Sequence, residues 1–479
     1  MTEKIKLKWV YLFSALFILV NTVLILKEYF YLSIFIPIAI IVIILYLYYL
    51  DKLILLIVFL TPFAINIKNI ELGIGISLPT EPLLFGVLIL FLLRSLYKNN
   101  FDGRVLKHPV SILIIINLVW IFLTSLTSSI SLVSFKFFVA RLWFVIPLYF
   151  IGTHLFKKFR NIKVFSWLYV IPLLGVIGYT IRNHAMHGFD EEAAHWVMTP
   201  FYNDHTAYGA VLALFIPVFI GFSLNRHYSR NIRTIALVIT MVLLVALFLS
   251  FSRAAWISLA FAALFFLLIR LHIKFRWILL TLLIVTGIFF SFKWQILDAL
   301  EKNKQDTSAN FIEHVQSIAN ISSDASNLER INRWQSAVRM FKERPLFGWG
   351  PGTYQFMYAP FQRTKEKTLI STNFGDRGNA HSEYLGPLSE SGLIGMLSIV
   401  AIIIAFFITG LRVYKRARAP EVKMLSLVTL LGLSSYFIHG LLNNFLDTDK
   451  ASIPIWGFIA ILVALDMYHK DKTEEELYQ

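Results

Sequence analysis

Apolar residues run through this chain in long unbroken blocks, and polar residues gather in short clusters between them. A bilayer core of about 30 Å takes roughly 20 apolar residues per helical crossing. On that measure the blocks predict fourteen spans, near 9–26, 30–50, 53–67, 81–97, 109–128, 134–156, 164–181, 206–225, 234–252, 254–270, 277–293, 386–411, 424–444 and 452–467. Residues 294–385 form the one long polar stretch. The fold class is therefore all-α: a polytopic transmembrane helical bundle of about 12–14 spans with one large, partly helical extracytoplasmic loop. It divides into N-terminal transmembrane helices (1–293), the loop domain (294–385), and C-terminal transmembrane helices with a cytoplasmic tail (386–479).

Within the loop, Ser326 or Asn327 caps a helix running to about Lys342, with Glu329 in its first turn. Ile331, Trp334, Val338 and Phe341, spaced by three and four, mark its expected apolar face. The run Pro345-Leu-Phe-Gly-Trp-Gly-Pro-Gly352 then stops the helix, and 361–380 reads as irregular.

Composition agrees. The chain is 57% hydrophobic and 15% charged, too little polar surface for a soluble protein of 479 residues. Having no cysteine, it offers no disulfide, thiolate ligand or thiol nucleophile. The first apolar run follows Lys4, Lys6 and Lys8 and lacks a small-residue cleavage site, so it reads as a retained anchor.

The net charge of +15 points to a nucleic-acid partner or to membrane orientation, and the positions of the charges decide. Lys98, Arg104 and Lys107, then Lys157, Lys158, Arg160 and Lys163, then Arg226, Arg230 and Arg233, then Arg270, Lys274 and Arg276, then Arg412, Lys415, Arg416, Arg418 and Lys423 all fall on one side of the threading. That side is the cytoplasm, which puts both termini there, and no nucleic acid is needed as a partner. The 294–385 loop faces outward and balances eleven Lys or Arg against ten Asp or Glu.

Ionisable residues at the outer face or inside the membrane are costly, and they carry the candidate chemistry. Arg253 stands between two apolar runs with almost no loop, where a guanidinium snorkels or meets an anion. Arg330 shares a helix face with Trp334, four residues on, and Arg333 is its neighbour. Arg141, deep in Phe137–Phe150, either binds substrate or pairs with a buried carboxylate. His381 suits a general base at a membrane surface, and Glu383 can orient it or raise its pKa. Asp204 and His205 open the span at 206–225 and either line the same cavity or cap the helix. The acidic stretch Asp190–Glu192 reads as solvated surface. No HExxH or paired acidic motif supports a metal, and no cofactor is expected. Arginines, a histidine and no metal motif fit an anionic, phosphate-bearing substrate.

With these residues in place, the sequence resembles the O-antigen ligase and polymerase superfamily of bacterial integral membrane proteins. The resemblance rests on Ser252-Arg-Ala-Ala-Trp256, Arg330-x-x-x-Trp334, Pro345–Gly352, and His381-Ser-Glu-Tyr-Leu-Gly-Pro-Leu-Ser-Glu-Ser-Gly392-Leu-Ile-Gly395. It covers roughly residues 200–400. It implies a metal-independent, inverting glycosyltransferase of the bacterial inner membrane. Such an enzyme moves a glycan from undecaprenyl diphosphate to lipid A-core or another glycan acceptor. Arg253 and Arg330 match the family arginines that hold the diphosphate, and His381 matches the histidine that activates the acceptor. Arg141, Arg333, Trp334, Asp204, His205 and Glu383 are expected around the substrate. Ser382 stands where the family commonly has Asn, and members often have about twelve spans. Polymerisation of exopolysaccharide and protein O-glycosylation share the chemistry. A lipid-linked sugar transporter is the alternative of a different class, and it would show repeated halves and midplane charges.

Overall fold

A computed structural model describes residues 3–29, 32–33, 35–67, 75–97, 102–272, 325–367, 371 and 378–478. The span expected at 277–293 lies outside the described residues. Among those described, nine helices are long and apolar enough to cross a membrane. In the numbering used below, the helices ahead of these are α1 (Glu3–Leu26), α2 (Phe35–Tyr48), α3 (Leu50–Leu60) and α4 (Thr80–Tyr97). The first six spans are α5 (Pro109–Leu126), α6 (Ser131–Val145, prolonged to Leu155), α7 (Phe159–Met186), α8 (His205–Leu224), α9 (Arg230–Leu249) and α10 (Arg253–Arg270). After the loop helix α11 (Ala325–Glu343) come the spans α12 (Leu385–Arg416), α13 (Pro420–His439) and α14 (Asp449–Ala464, prolonged to His469). A two-stranded antiparallel hairpin, β1 (Ile65–Ile67) and β2 (Ile76–Leu78), is the only sheet among the described residues. The chain is a multi-pass, all-α membrane protein.

Three expectations change. The spans predicted at 30–50 and 53–67 are α2 and α3 laid end to end around Tyr49. Tyr49 N donates to Leu45 O and Leu53 N to Tyr49 O, both at 3.0 Å, so no residues remain for a turn at the membrane surface. The chain beyond Leu60 leaves the helix at Thr61-Pro-Phe63 and enters β1. The span predicted at 424–444 ends at His439, because Gly440 and two asparagines follow and 440–448 form a loop. The third change is the face that α11 buries.

Helices α8, α13 and α14 are apolar nearly all round and lie at the centre. Small residues let their backbones close up, as expected where lipid removes the usual hydrophobic drive between helices. A Cβ on Gly432 would lie 2.5 Å from Leu214 O, and one on Gly457 2.1 Å from the Phe165 ring. Helix α1 and most of α2 keep their apolar side chains exposed, as a lipid-facing rim does.

The glycine-rich run after α11 has a physical reason. Helix α12 is broken at Gly392, where φ is +69°, so Leu385–Ser391 forms a separate segment of about two turns. The carbonyls freed by the break are met from outside the helix. Trp349 N donates to Ser389 O (3.1 Å), Gly350 N to Glu390 O (2.8 Å) and Trp120 Nε1 to Ser391 O (2.8 Å). In return Leu393 N donates to Pro345 O at 2.9 Å. The two motifs are thus one interlock, and α11 rides on it.

On α11 the buried face is Glu329, Asn332, Arg333, Ser336, Ala337 and Met340, not the predicted Ile331, Trp334, Val338 and Phe341. The polar residues can be buried because each is bonded: Glu329 pairs with Arg333 at 2.8 Å, and Asn332 Nδ2 reaches Gln362 Oε1 at 2.9 Å. The expected apolar face stays half-buried, and Trp334 and Val338 line an open groove with Arg339, Lys342 and Arg363.

Candidate functional site

The first turns of α8 and α10, helix α11, the last turn of α13 and the segment before α12 converge. Helix α8 starts at Asp204, whose carboxylate accepts from Thr206 N (2.8 Å), Thr206 Oγ1 (2.6 Å) and Ala207 N (2.9 Å). This is the N-cap reading of Asp204, and it leaves the carboxylate within electrostatic reach of His381. His205 stacks on His195, with ring centroids 4.2 Å apart at 13°. One turn into α8, a Cβ on Gly209 would lie 2.9 Å from Ser252 Cβ. The glycine therefore brings the start of α10, with Arg253 as its first residue, against the start of α8. Arg253 Nη2 stands 3.8 Å from Glu191 Oε1, so the acidic stretch read as solvated surface supplies a carboxylate near the site. A guanidinium at a helix N-terminus adds to the positive end of the helix dipole, a favourable place for an anion.

His381 sits in a tight turn with φ +46°, uncommon for a side-chain-bearing residue. Three bonds pin it: His381 N donates to Asn379 Oδ1 (3.0 Å), Arg333 Nη1 to Asn379 O (3.2 Å), and Trp334 Nε1 to His381 O (3.2 Å). Arg333 is thereby committed on three sides, to Glu329, to Asn379 and over the Tyr358 ring at 5.5 Å, and Tyr354 OH donates to its carbonyl at 2.8 Å. Arg330, one turn before Trp334, acts on the His381 imidazole from the same helix.

The surroundings make His381 a neutral imidazole. Burial pushes its pKa down to about 4, the nearby Arg333 and Arg330 push the same way, and Asp204 and the Asn443 side chain oppose them. A neutral imidazole at neutral pH can accept a proton.

Two residues expected around the substrate have other partners. Glu383 turns instead into the 440–448 loop. Its carboxylate accepts from Tyr436 OH (2.6 Å), Phe445 N (2.8 Å) and Leu446 N (2.9 Å), while Glu383 N donates to Gly440 O (2.8 Å). Burial lifts its pKa to about 7. Arg141 takes the ion-pair alternative: Nη2 lies 2.7 Å from Asp447 Oδ1, and the guanidinium covers the Phe137 ring at 5.3 Å. Both residues hold the 440–448 loop rather than the imidazole.

The structure thus gathers His381, Arg330, Arg333, Trp334 and Asp204, with Arg253 alongside through the α8–α10 contact. Sequence reasoning passed over His439 and Asn443, because the predicted span 424–444 enclosed them. A polar pair one turn apart at the outer end of an apolar run was the available signal.

Residues 236–400, about a third of the chain, match the family model described as O-antigen ligase. That stretch holds Arg253, Arg330, Trp334, the glycine-rich run, His381 and the Gly392 break, so the resemblance read from the motifs is borne out where they lie. A relative from Haemophilus influenzae, described as an uncharacterized protein, is 24% identical over 164 residues. The shared stretch is 34% of this chain and 35% of the relative, so the chain spans about a third of the length of the protein it matches.

Proposed function

We propose that this protein transfers a glycan from undecaprenyl diphosphate to an acceptor hydroxyl at the outer face of the bacterial cytoplasmic membrane, with lipid A-core as the acceptor. The observation that carries the reading is the neutral His381 imidazole held beside Arg330 at the outer end of the bundle. The family match supplies the reaction class. The basic loops from Lys98 to Lys107, Lys157 to Lys163, Arg226 to Arg233 and Arg412 to Lys423 face the cytoplasm in this reading, which puts the site outside.

The reaction is one displacement, with inversion. The acceptor oxygen bonds to the anomeric carbon, its proton passes to the free nitrogen of His381, and the bond from that carbon to the diphosphate breaks. Undecaprenyl diphosphate leaves with the electron pair, and Arg330 and Arg253 take up its growing negative charge. Binding of the donor also offsets the positive charge that keeps His381 unprotonated, so the imidazole becomes a stronger base once the substrate is present. The steps use side chains of this chain alone and call on no metal ion.

The test is transfer by the purified protein between undecaprenyl-diphosphate-linked glycan and lipid A-core. His381→Ala should abolish transfer while the donor still binds. Full activity in that variant would remove the proposed base. Product made only when a second lipid-linked chain is the acceptor would replace ligation by polymerisation.

A further inference from the structure

The C-terminal end of α13 and the turn after it hold two buried polar side chains that the reaction above does not use. His439 is 1% exposed and Asn443 is 2% exposed. Asn443 N donates to His439 O at 3.2 Å, so the two stand one turn apart on the same side. The Asn443 side chain lies beside the His381 imidazole and favours its charged form. Its Nδ2 and the Nε2 of His439 have no protein partner, although both are buried. Buried polar atoms are almost always bonded, so such a pair marks a place where something else binds. His439 lies within electrostatic reach of Asp204, His205 and Arg330, and His381 within reach of Arg330, Arg333 and Asp204. The two unpartnered atoms therefore lie next to the candidate site.

Their chemistry narrows the ligand. An amide N–H only donates, and an imidazole nitrogen donates or accepts according to its tautomer. Neither is a fixed cation, and the arginines already serve the diphosphate. A neutral donor beside a neutral donor-acceptor suits a sugar hydroxyl, which does both. On the reading given above, we propose that Asn443 and His439 complete the site. The Asn443 carbonyl oxygen accepts from one His381 nitrogen, so that the other keeps its lone pair toward the substrate. Asn443 Nδ2 and His439 Nε2 hold a hydroxyl of the acceptor saccharide beside the one that attacks. Asn443 is thus a positioning residue for His381, and His439 a specificity contact for the acceptor. Both lie beyond the matched stretch 236–400.

The geometry has its own support. Gly440 sits against Glu383, where a Cβ would come within 2.9 Å of Glu383 Cγ, and the Glu383 carboxylate gathers the backbone of Phe445 and Leu446. The turn carrying Asn443 is therefore held from both sides against the His381 segment.

The experiment compares His439→Ala, His439→Gln, Asn443→Ala and Asn443→Asp in the full-length protein, using undecaprenyl-diphosphate-linked glycan with lipid A-core or, if that is what it accepts, a second lipid-linked chain. His439→Ala should raise the KM for the acceptor about tenfold, the cost of one buried hydrogen bond, and leave the donor KM unchanged. Asn443→Ala should lower kcat about tenfold or more and move the acid limb of the pH profile down. Asn443→Asp should restore much of the kcat and move that limb up by about one unit, because a carboxylate beside an imidazole favours its charged form. An unchanged acceptor KM in both His439 variants, together with an unmoved acid limb in both Asn443 variants, overturns the inference even when His381→Ala is inactive. Full activity in His381→Ala overturns the reading beneath it instead. The Gln and Asp variants keep size and polarity, so they decide the matter if the alanine variants fail to fold.

Discussion

The indole Nε1 of Trp334 donates to the backbone carbonyl of His381 across 3.2 Å, so a residue of α11 fixes the turn that carries the imidazole. Trp334 is the residue that shares a helix face with Arg330, and this one helix therefore sets both the cation and the imidazole. Trp334→Phe keeps most of the ring and removes the donor. Turnover should fall about five- to tenfold, roughly the net worth of one hydrogen bond, with donor binding unchanged. Steady-state kinetics against both substrates check this, and wild-type kcat would mean that the turn is held without the indole.

The pH profile should show two different acid limbs. In the free enzyme His381 titrates at about 4, because burial and the two arginines disfavour its charged form. The base must be neutral to act, so kcat/KM should fall only as the pH drops through about 4. With donor bound, the diphosphate offsets Arg330, and the limb of kcat should lie at higher pH. Arg330→Gln should raise the free-enzyme limb even as it slows turnover. An acid limb of kcat/KM near 6.5 would show that neither burial nor the arginines act on the imidazole.

Arg253→Lys and Arg330→Lys keep the charge and lose the planar fork. If each guanidinium grips the departing diphosphate through paired hydrogen bonds, each change should cost about 10- to 100-fold in kcat/KM for the donor. A lysine that merely snorkels would cost nothing, so wild-type turnover in Arg253→Lys would return that residue to the role of a membrane-surface anchor.

Glu383 separates loop support from chemistry. Its folded pKa of about 7 lies above the ordinary 4.5, so the fold favours the protonated carboxyl. The stability it contributes is full below 4.5 and is lost as the pH rises through about 7. Glu383→Gln, which mimics the neutral form, should be more stable than wild type above that pH and close to it at pH 4. Glu383→Ala abandons three donors and should cost about 2–3 kcal/mol, with a loosened 440–448 loop. Thermal unfolding across pH reads both. Equal pH dependence in wild type and Glu383→Gln would place the ionisation elsewhere.

The sequence made most of the bundle legible because each long apolar block had room for one crossing, and all nine crossing helices fall on predicted blocks. Candidate-site residues were legible where a charge stood apart from the basic loop clusters, as Arg253, Arg330 and His381 do. Reading failed where hydropathy could not separate a kink from a turn, as at Tyr49, or a span's last turn from the loop beyond it, as at His439 and Asn443. The face of α11 was misassigned for another reason. Periodicity counts apolar residues, whereas Glu329, Asn332 and Arg333 are buried through partners far along the chain, at Asn379 and Gln362. Glu383 was placed beside His381 by nearness in sequence, yet the turn points successive side chains to different sides.

The break in α12 is where the fold and the site can be uncoupled. Gly392 holds φ at +69°, and a Cβ there would lie 2.0 Å from Leu346 O, a backbone atom that cannot swing away. Gly392→Ala therefore meets two costs, about 1–3 kcal/mol for an alanine in a backbone region that glycine alone readily adopts and more for the clash. Straightening the helix would relieve both, but it would release Ser389, Glu390 and Ser391 from Trp349, Gly350 and Trp120 and drop the support under α11. The variant should thus keep its membrane insertion and helix content while losing glycan transfer at least tenfold, since Trp334 and Arg330 would no longer face His381. Gly348→Ala, whose Cβ would lie 2.4 Å from the Glu390 backbone at the other side of the same interlock, should give the same result. The double variant should be little worse than either, because one contact surface fails in both. Additive losses in the two would show instead that the two glycines serve separate structures.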